Sequence, residues 1–266
     1  MIRIAHIVNP VAVRGTSDLA VAQPITFATM KTAAAFWKQG LEVTQLTAQF
    51  PEDRAMIPDG FMATPDLERS ILDMRGFNIP RKLPLIKDIL DRLFRGSIAE
   101  YLIYTNVDIA LQPYFYASAS AMFRRGHDAF IINRRTIPAT YKTAEEIPRM
   151  MAELGEPHPG WDCFAFNRSL YPEFDLGTAC IGSGWIGRVM ITNMAALAKK
   201  FAVFTDWHAT FHIGNDKAWK ATELDDYVEH NRNECRRILT EFDAKKGPFD
   251  RKGMPGRFFR KLDKEG

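Results

Sequence analysis

The sequence predicts an α/β fold: a central, mostly parallel sheet with helices on both faces. Two observations carry that prediction. Short apolar runs such as Ile2–Val8 and Ala129–Asn133 have the length and β-branched content of buried strands. They alternate with longer segments whose apolar residues recur at helical spacing, as expected for a sheet covered on both sides. Composition agrees. Hydrophobic residues make up 46% and charged residues 25%, which excludes a disordered chain, a collagen and a coiled coil.

Taken in order, Ile2–Val8 is a buried strand followed by a polar loop to Gln23. Pro24 suits the first turn of a helix that Phe27, Met30, Ala34 and Trp37 continue on one face. Leu41–Leu46 alternates like a short strand, and residues 51–65 read as a loop with turn residues Pro58, Asp59 and Gly60. Pro84–Phe94 is an amphipathic helix, with Ile86, Ile89, Leu90 and Leu93 inward and Lys87, Asp88, Asp91 and Arg92 outward. Tyr101–Leu111 is a strand ending in a polar kink, Phe115–Arg124 a helix, and Ala129–Asn133 another buried strand. Asp162–Phe166 and Thr178–Ile181 read as further strands. Glu223–Phe242 closes the fold as a helix with Leu224, Tyr227, Cys235 and Ile238 on one side. No repeat or interdomain linker interrupts this series, so residues 1–244 are expected to form one domain.

Residues 245–266 differ. They hold eight Lys/Arg against three Asp/Glu, so the chain's net charge of +3 hides a body of 244 residues that is slightly negative. A basic excess confined to a Gly/Pro-punctuated tail reads as a solvated, mobile appendage, with peripheral contact to an anionic membrane as the sharper alternative. It is not the basic face of a nucleic-acid binder. No window has the ~18 consecutive apolar residues of a membrane span. The N-terminus lacks the pattern of a secretory signal, so a cytoplasmic protein is expected. Three cysteines without paired spacing indicate reduced thiols and no structural zinc site.

In parallel sheets ligands bind beyond the carboxyl ends of strands, so chemistry is sought there. The first strand ends at Asn9-Pro10. The central strand ends in Thr105-Asn106-Val107-Asp108-Ile109, whose alternation points Asn106 and Asp108 the same way. Two oxygen-bearing side chains at a strand end suit a divalent cation held together with a substrate's phosphates. A second group lies 104 residues further on: His212-Ile213-Gly214-Asn215-Asp216-Lys217-Ala218-Trp219. It combines an imidazole suited to transition metals, a glycine turn and a lysine suited to phosphate.

Together these segments resemble a known class. TNVDI resembles the DxD motif of nucleotide-sugar-dependent glycosyltransferases with the GT-A (nucleotide-diphospho-sugar transferase-like) fold. HIGNDKAW is similar to the H-x(1–2)-G-x-x-K-P-W segment of their glycogenin-like, retaining members. The resemblance implies that Asp108 and His212 ligate Mn²⁺ or Mg²⁺, with Asn106 in the first position of the motif. It also implies that Lys217 contacts the diphosphate of a nucleoside diphosphate-sugar beside the Gly214 turn. Basic residues ahead of the DxD strand, here Arg81, Lys82 and Lys87, are implied donor contacts, as is Asn9. Two positions depart from the motifs: Asn106 replaces an acid and Ala218 a proline. The acceptor, whether saccharide, lipid or protein, is left open.

Two other segments bear on function. His158-Pro159-Gly160-Trp161-Asp162 sets an aromatic beside a carboxylate, an arrangement that holds sugars, and Asp162 is the candidate base on the acceptor side. Gly182-Ser183-Gly184-Trp185-Ile186-Gly187 is a literal G-x-G-x-x-G between a strand-like and a helix-like segment, with Asp206 nineteen residues beyond. It supports the alternative of an NAD(P)-dependent oxidoreductase. A catalytically silent nucleotide-sugar binder is the third reading. Asn133-Arg134-Arg135 ends a strand with charges suited to a phosphate or an acidic acceptor.

Overall fold

The structure is a computed structural model that describes residues 1–13, 17–215 and 222–247. In chain order it comprises β1 (Ile2–Val8), α1 (Leu19–Phe36), β2 (Leu41–Thr47), β3 (Met62–Ala63), α2 (Ile86–Arg95), β4 (Tyr101–Thr105) and β5 (Ala110–Leu111). Then follow α3 (Phe115–Arg124), β6 (Ala129–Ile132), β7 (Arg135–Ile137), α4 (Ile147–Ala152), β8 (Glu156–Pro157) and β9 (Cys163–Asn167). The last described elements are α5 (Ile186–Leu197), β10 (Phe201–Phe204), β11 (Thr210–Ile213) and α6 (Asp225–Lys246).

Seven strands form the central sheet in the order β10-β6-β9-β4-β1-β2-β3. Every neighbouring pair is parallel except those of β9, which runs antiparallel to both β4 and β6. Burial on both faces follows the two-residue strand period. Ile4, Val8, Ile103, Phe130 and Ile132 pack with Phe27 and Met30 of α1 and with Phe115, Tyr116 and Phe123 of α3. Ala5, Ile7, Leu102, Ile131 and Phe166 pack on the other face with the apolar stripes of α2, α5 and α6. A smaller sheet, β5-β11-β7-β8, sits at one end. The expected architecture therefore holds.

Five local expectations need correction. α1 begins at Leu19 and not at Pro24, because its start carries no side-chain cap to mark it; Pro24 lies inside the helix, and the neighbouring Gln23 closes a pair of 2.8 Å bonds on the Val11 backbone. Trp37 is the exposed residue after that helix, not part of its buried face. Asp88 is buried on α2 because Arg69 pairs with both of its oxygens at 2.8 Å. Thr178–Ile181 forms no strand. It makes a single bridge, Leu85 to Cys180, and the buried amide of Asn231 satisfies both the N–H and the C=O of Cys180 at 2.9 Å. α6 continues through Lys246, two residues into the expected tail; residues 248–266 lie outside the described residues.

Candidate active site

The carboxyl end of β4 is where the fold gathers its charged side chains. β9 pairs with β4 up to Thr105–Cys163 and with β6 up to Ile132–Cys163. Just beyond those pairs lie Asn106, Asp162 and Asn133-Arg134, at the ends of three neighbouring strands. The chain then turns through residues 106–109 into β5, which pairs antiparallel with β11, Ala110 against Phe211. That pairing closes the gap of 104 residues and sets His212 beside Asp108, Nε2 to Oδ2 at 3.2 Å.

His212 is almost fully buried. Its Nδ1 faces the Gly214 carbonyl at 2.9 Å, and a carbonyl only accepts, so Nδ1 carries a proton and Nε2 is the nitrogen turned to Asp108. Burial works against the imidazolium, but the hydrogen bond and charge of Asp108 win, and the pKa is raised. Burial likewise opposes the Asp108 carboxylate, while the hydrogen bond and charge of His212, with Arg134, hold its pKa below the ordinary value. Gly214 accepts the His212 bond from a left-handed turn (φ +72°) while its N–H donates to Ile137 at 2.8 Å. A Cβ there would approach Ala139 Cβ to 3.0 Å, so glycine is required.

Arg134 and Asp162 are buried and face each other at 3.4 Å. Burial pushes the Asp162 carboxyl up, Arg134 opposes, and the charge of Asp108 adds to the rise. Among the described residues, four atoms of this group have no hydrogen-bond partner: Asp108 Oδ1, Asn133 Oδ1, Asp162 Oδ2 and Arg134 Nε. Buried polar and charged groups in folded proteins are normally satisfied, so these mark unused capacity for a ligand.

The other expected residues divide. Asn106 is adjacent, and its Oδ1 accepts from the Tyr104 hydroxyl at 2.9 Å. Asn9 sits at the end of β1, where its amide donates to the Ala48 carbonyl at 2.7 Å and ties β1 to the segment after β2. Lys87 is not brought to the site: its ammonium pairs with Asp91 at 2.6 Å, one turn along α2. Arg81 and Lys82 are likewise paired, with Glu223 and Glu52. Lys217 lies outside the described residues. Trp161 is no open platform; it is buried, with the backbone of Gly187 and the Arg188 guanidinium against it. Buried Tyr104 and the loop residues Tyr141 and Lys142 were not singled out by the sequence. The signal for Tyr104 was its position two residues before Asn106, on the same strand face.

The GSGWIG segment lacks the context that a dinucleotide fingerprint needs. No strand precedes it, and Asp206 pairs with Arg135, not with a ribose position at that turn. The cysteines are buried, and burial raises the pKa of each.

Asp108, His212 and Gly214 line a small cleft open to solvent, together with Asp18, Leu19, Val21, Tyr141 and Lys142. Among the described residues no three His, Cys, Asp or Glu side chains cluster as a closed metal cage. Asp108 and His212 offer a donor set of one carboxylate and one imidazole. Its hard oxygen and borderline nitrogen, with the unpartnered Asp108 Oδ1, fit Mn²⁺ or Mg²⁺ completed by substrate oxygens.

The fold defined by this sheet and site is the nucleotide-diphospho-sugar transferase-like α/β fold. It is similar to the crystal structure of S. aureus TarS 1-349 in complex with UDP-GlcNAc, with a TM-score of 0.50 and 10% sequence identity over 91% of this chain and 71% of that chain. The same TarS fragment alone and with UDP is also similar, with TM-scores of 0.49 and 0.48 at 11% identity, each over 94% of this chain and 73% of that chain. No family model and no curated protein sequence matches the chain. At such identity the likeness is one of fold. Among the described residues no helix is long and apolar enough to cross a membrane.

Proposed function

We propose that the protein is a nucleotide-sugar-dependent glycosyltransferase, moving a sugar from a nucleoside diphosphate donor to an acceptor not yet assigned. The observation that carries this reading is the Asp108–His212 pair at 3.2 Å, joined at the end of the central strand from two motifs 104 residues apart. The TarS structures with UDP-GlcNAc and UDP show what a protein of similar fold binds and support a uridine nucleotide as the first donor to test.

In this reading Asp108 and His212 hold Mn²⁺ or Mg²⁺. A bound divalent ion supplies Lewis-acid neutralisation of the charge that develops on the departing diphosphate. The chain's residues prepare that site. The Nδ1–H bond to Gly214 fixes the ring so that Nε2 faces the ligand position, the usual orientation device for a metal-binding histidine. Asn106 adds an amide at the edge. Lys217 follows on the same segment as the proposed phosphate contact. Asp162, with an unpartnered Oδ2 and a raised pKa, is the proposed acceptor of a proton or of a sugar hydroxyl hydrogen bond. The proposed catalytic body is the expected 1–244 unit extended to the end of α6, and the residues after it are the proposed basic appendage.

Thermal shift with UDP, GDP, UDP-sugars, NAD and NADP, each with Mn²⁺ or EDTA, tests the reading. Ligand at ~100-fold its Kd stabilises by about 2.7 kcal/mol. Nucleoside diphosphates are expected to stabilise more with Mn²⁺ than with EDTA. Stabilisation by NAD and by no nucleoside diphosphate would reverse it. Binding of a UDP-sugar with neither its hydrolysis nor its transfer would favour the silent binder.

A further inference from the structure

We infer that Lys142 is a phosphate-binding residue of the cleft, contacting the anionic diphosphate of a ligand seated at Asp108 and His212. The inference rests on the nucleotide-sugar reading and deepens it. Lys142 lines the same cleft as those two residues. Its position is fixed from both sides. The preceding Tyr141 packs into the small apolar cluster of Ile25, Ala110, Ile137 and Phe211, which contains the β5–β11 pair that joins Asp108 to His212. After it, the Glu146 carboxylate accepts from the backbone N–H groups of Lys142 (2.8 Å) and Thr143 (3.1 Å).

Three glutamates surround this loop, yet none takes the lysine. Glu146 is occupied as just described, Glu153 accepts from the Tyr141 hydroxyl at 2.6 Å, and Glu145 is hydrogen-bonded by Thr143. Among the described residues the Lys142 ammonium forms no ion pair. A lysine on a clamped loop, beside carboxylates committed elsewhere, keeps its ammonium available to a ligand in the cleft it lines. Lys142 is the only Lys or Arg among the described residues that line this cleft, whose carboxylates are Asp108 and Asp18. The free nucleoside diphosphate left after transfer carries more negative charge than one divalent ion offsets, and a cation within reach would stabilise the remainder. Lysine's compact ammonium suits phosphate oxygens of varied orientation.

Calorimetric titration of the full chain with UDP, UMP and uridine in the presence of Mn²⁺ tests this. Lys142→Ala is expected to raise the Kd of UDP at least tenfold (about 1.4 kcal/mol) and of UMP less, with uridine unchanged. Lys142→Arg should restore most of the affinity, and Lys31→Ala, an exposed lysine on α1, should change nothing. Equal melting temperatures establish that the exposed loop variant is folded. A UDP affinity within twofold of wild type in Lys142→Ala overturns the inference and leaves the nucleotide-sugar reading intact. Equal losses for UDP and uridine also overturn it, by reducing the residue to a shaper of the cleft. A wild-type chain that binds no nucleoside diphosphate overturns both.

Discussion

Two buried histidines on either side of the β4 terminus have opposite chemistry. His6 on β1 is fully buried between two hydroxyls, with Nδ1 2.9 Å from Tyr116 and Nε2 2.9 Å from Thr105. Burial pushes its pKa down to about 3. His212 is nearly as buried, but its partners are a carbonyl and a carboxylate, and its pKa is raised. The residue type and the depth are alike; the partners differ. Two hydroxyls rotate to satisfy a neutral ring completely, which makes His6 a core polar link. A carboxylate rewards positive charge opposite it, so the same ring type is drawn toward its protonated form at His212. The unpartnered Asp108 Oδ1 next to it is the mark of that difference.

The largest effect expected from this contrast is on acid stability. Because the folded pKa of His6 lies below its unfolded value of 6.5, the unfolded chain binds a proton that the native chain refuses. The associated stability is present above pH 6.5 and lost as pH falls toward 3, a window worth about 4–5 kcal/mol at 1.36 kcal/mol per unit. His6→Gln, which keeps a donor and an acceptor, should flatten urea-derived stability across that window relative to wild type. An unchanged slope would show that His6 is not the group responsible.

On the other side of the contrast, Asp108→Asn should lower stability only modestly, since it removes the charge that pairs with His212 together with the cost of burying that charge. The same change should weaken Mn²⁺-dependent UDP binding about 100-fold, or about 2.8 kcal/mol. Loss of stability without loss of binding would make Asp108 structural, like His6.

Asn106→Asp adds a charge beside the Asp108–His212 pair and should raise Mn²⁺ affinity without nucleotide about tenfold, or about 1.4 kcal/mol. The gain is limited by repulsion from Asp108. It is limited further because the Asn106 oxygen already accepts from Tyr104, so Tyr104→Phe in the same background should raise affinity again. Calorimetric Mn²⁺ titration of the single and double variants reads both steps.

The smallest effect belongs to the His212–Asp108 pair in metal-free protein. Raised in the folded state, the His212 pKa contributes stability fully present below 6.5 and lost as pH rises through its folded value. Lowered in the folded state, Asp108 contributes stability present above 3.8 and lost as pH falls through its folded value. The pair is therefore strongest between those limits. Melting temperatures of wild type and His212→Gln should converge above neutral pH and diverge near pH 5.

The sequence by itself determined the layer architecture, because the two-residue and 3.6-residue apolar periods of β1, β4, β6, α2 and α3 are local and strong. It also placed Asn106, Asp108, Asp162, His212 and Gly214 at element ends, which alternation and turn chemistry disclose. It misread Thr178–Ile181, whose apolar run is satisfied by a distant side chain, Asn231, and not by a ladder. The resemblance implied Lys87 as a donor contact, and the sequence does not disclose that its ammonium pairs with Asp91 one turn along α2. Only the tertiary structure decided which charges meet. Arg134 faces Asp162 because β9 runs antiparallel between β4 and β6, and Asp108 reaches His212 because β5 pairs with β11. Strand register and order are long-range properties, set by how whole faces bury against each other, and no short segment of sequence contains them.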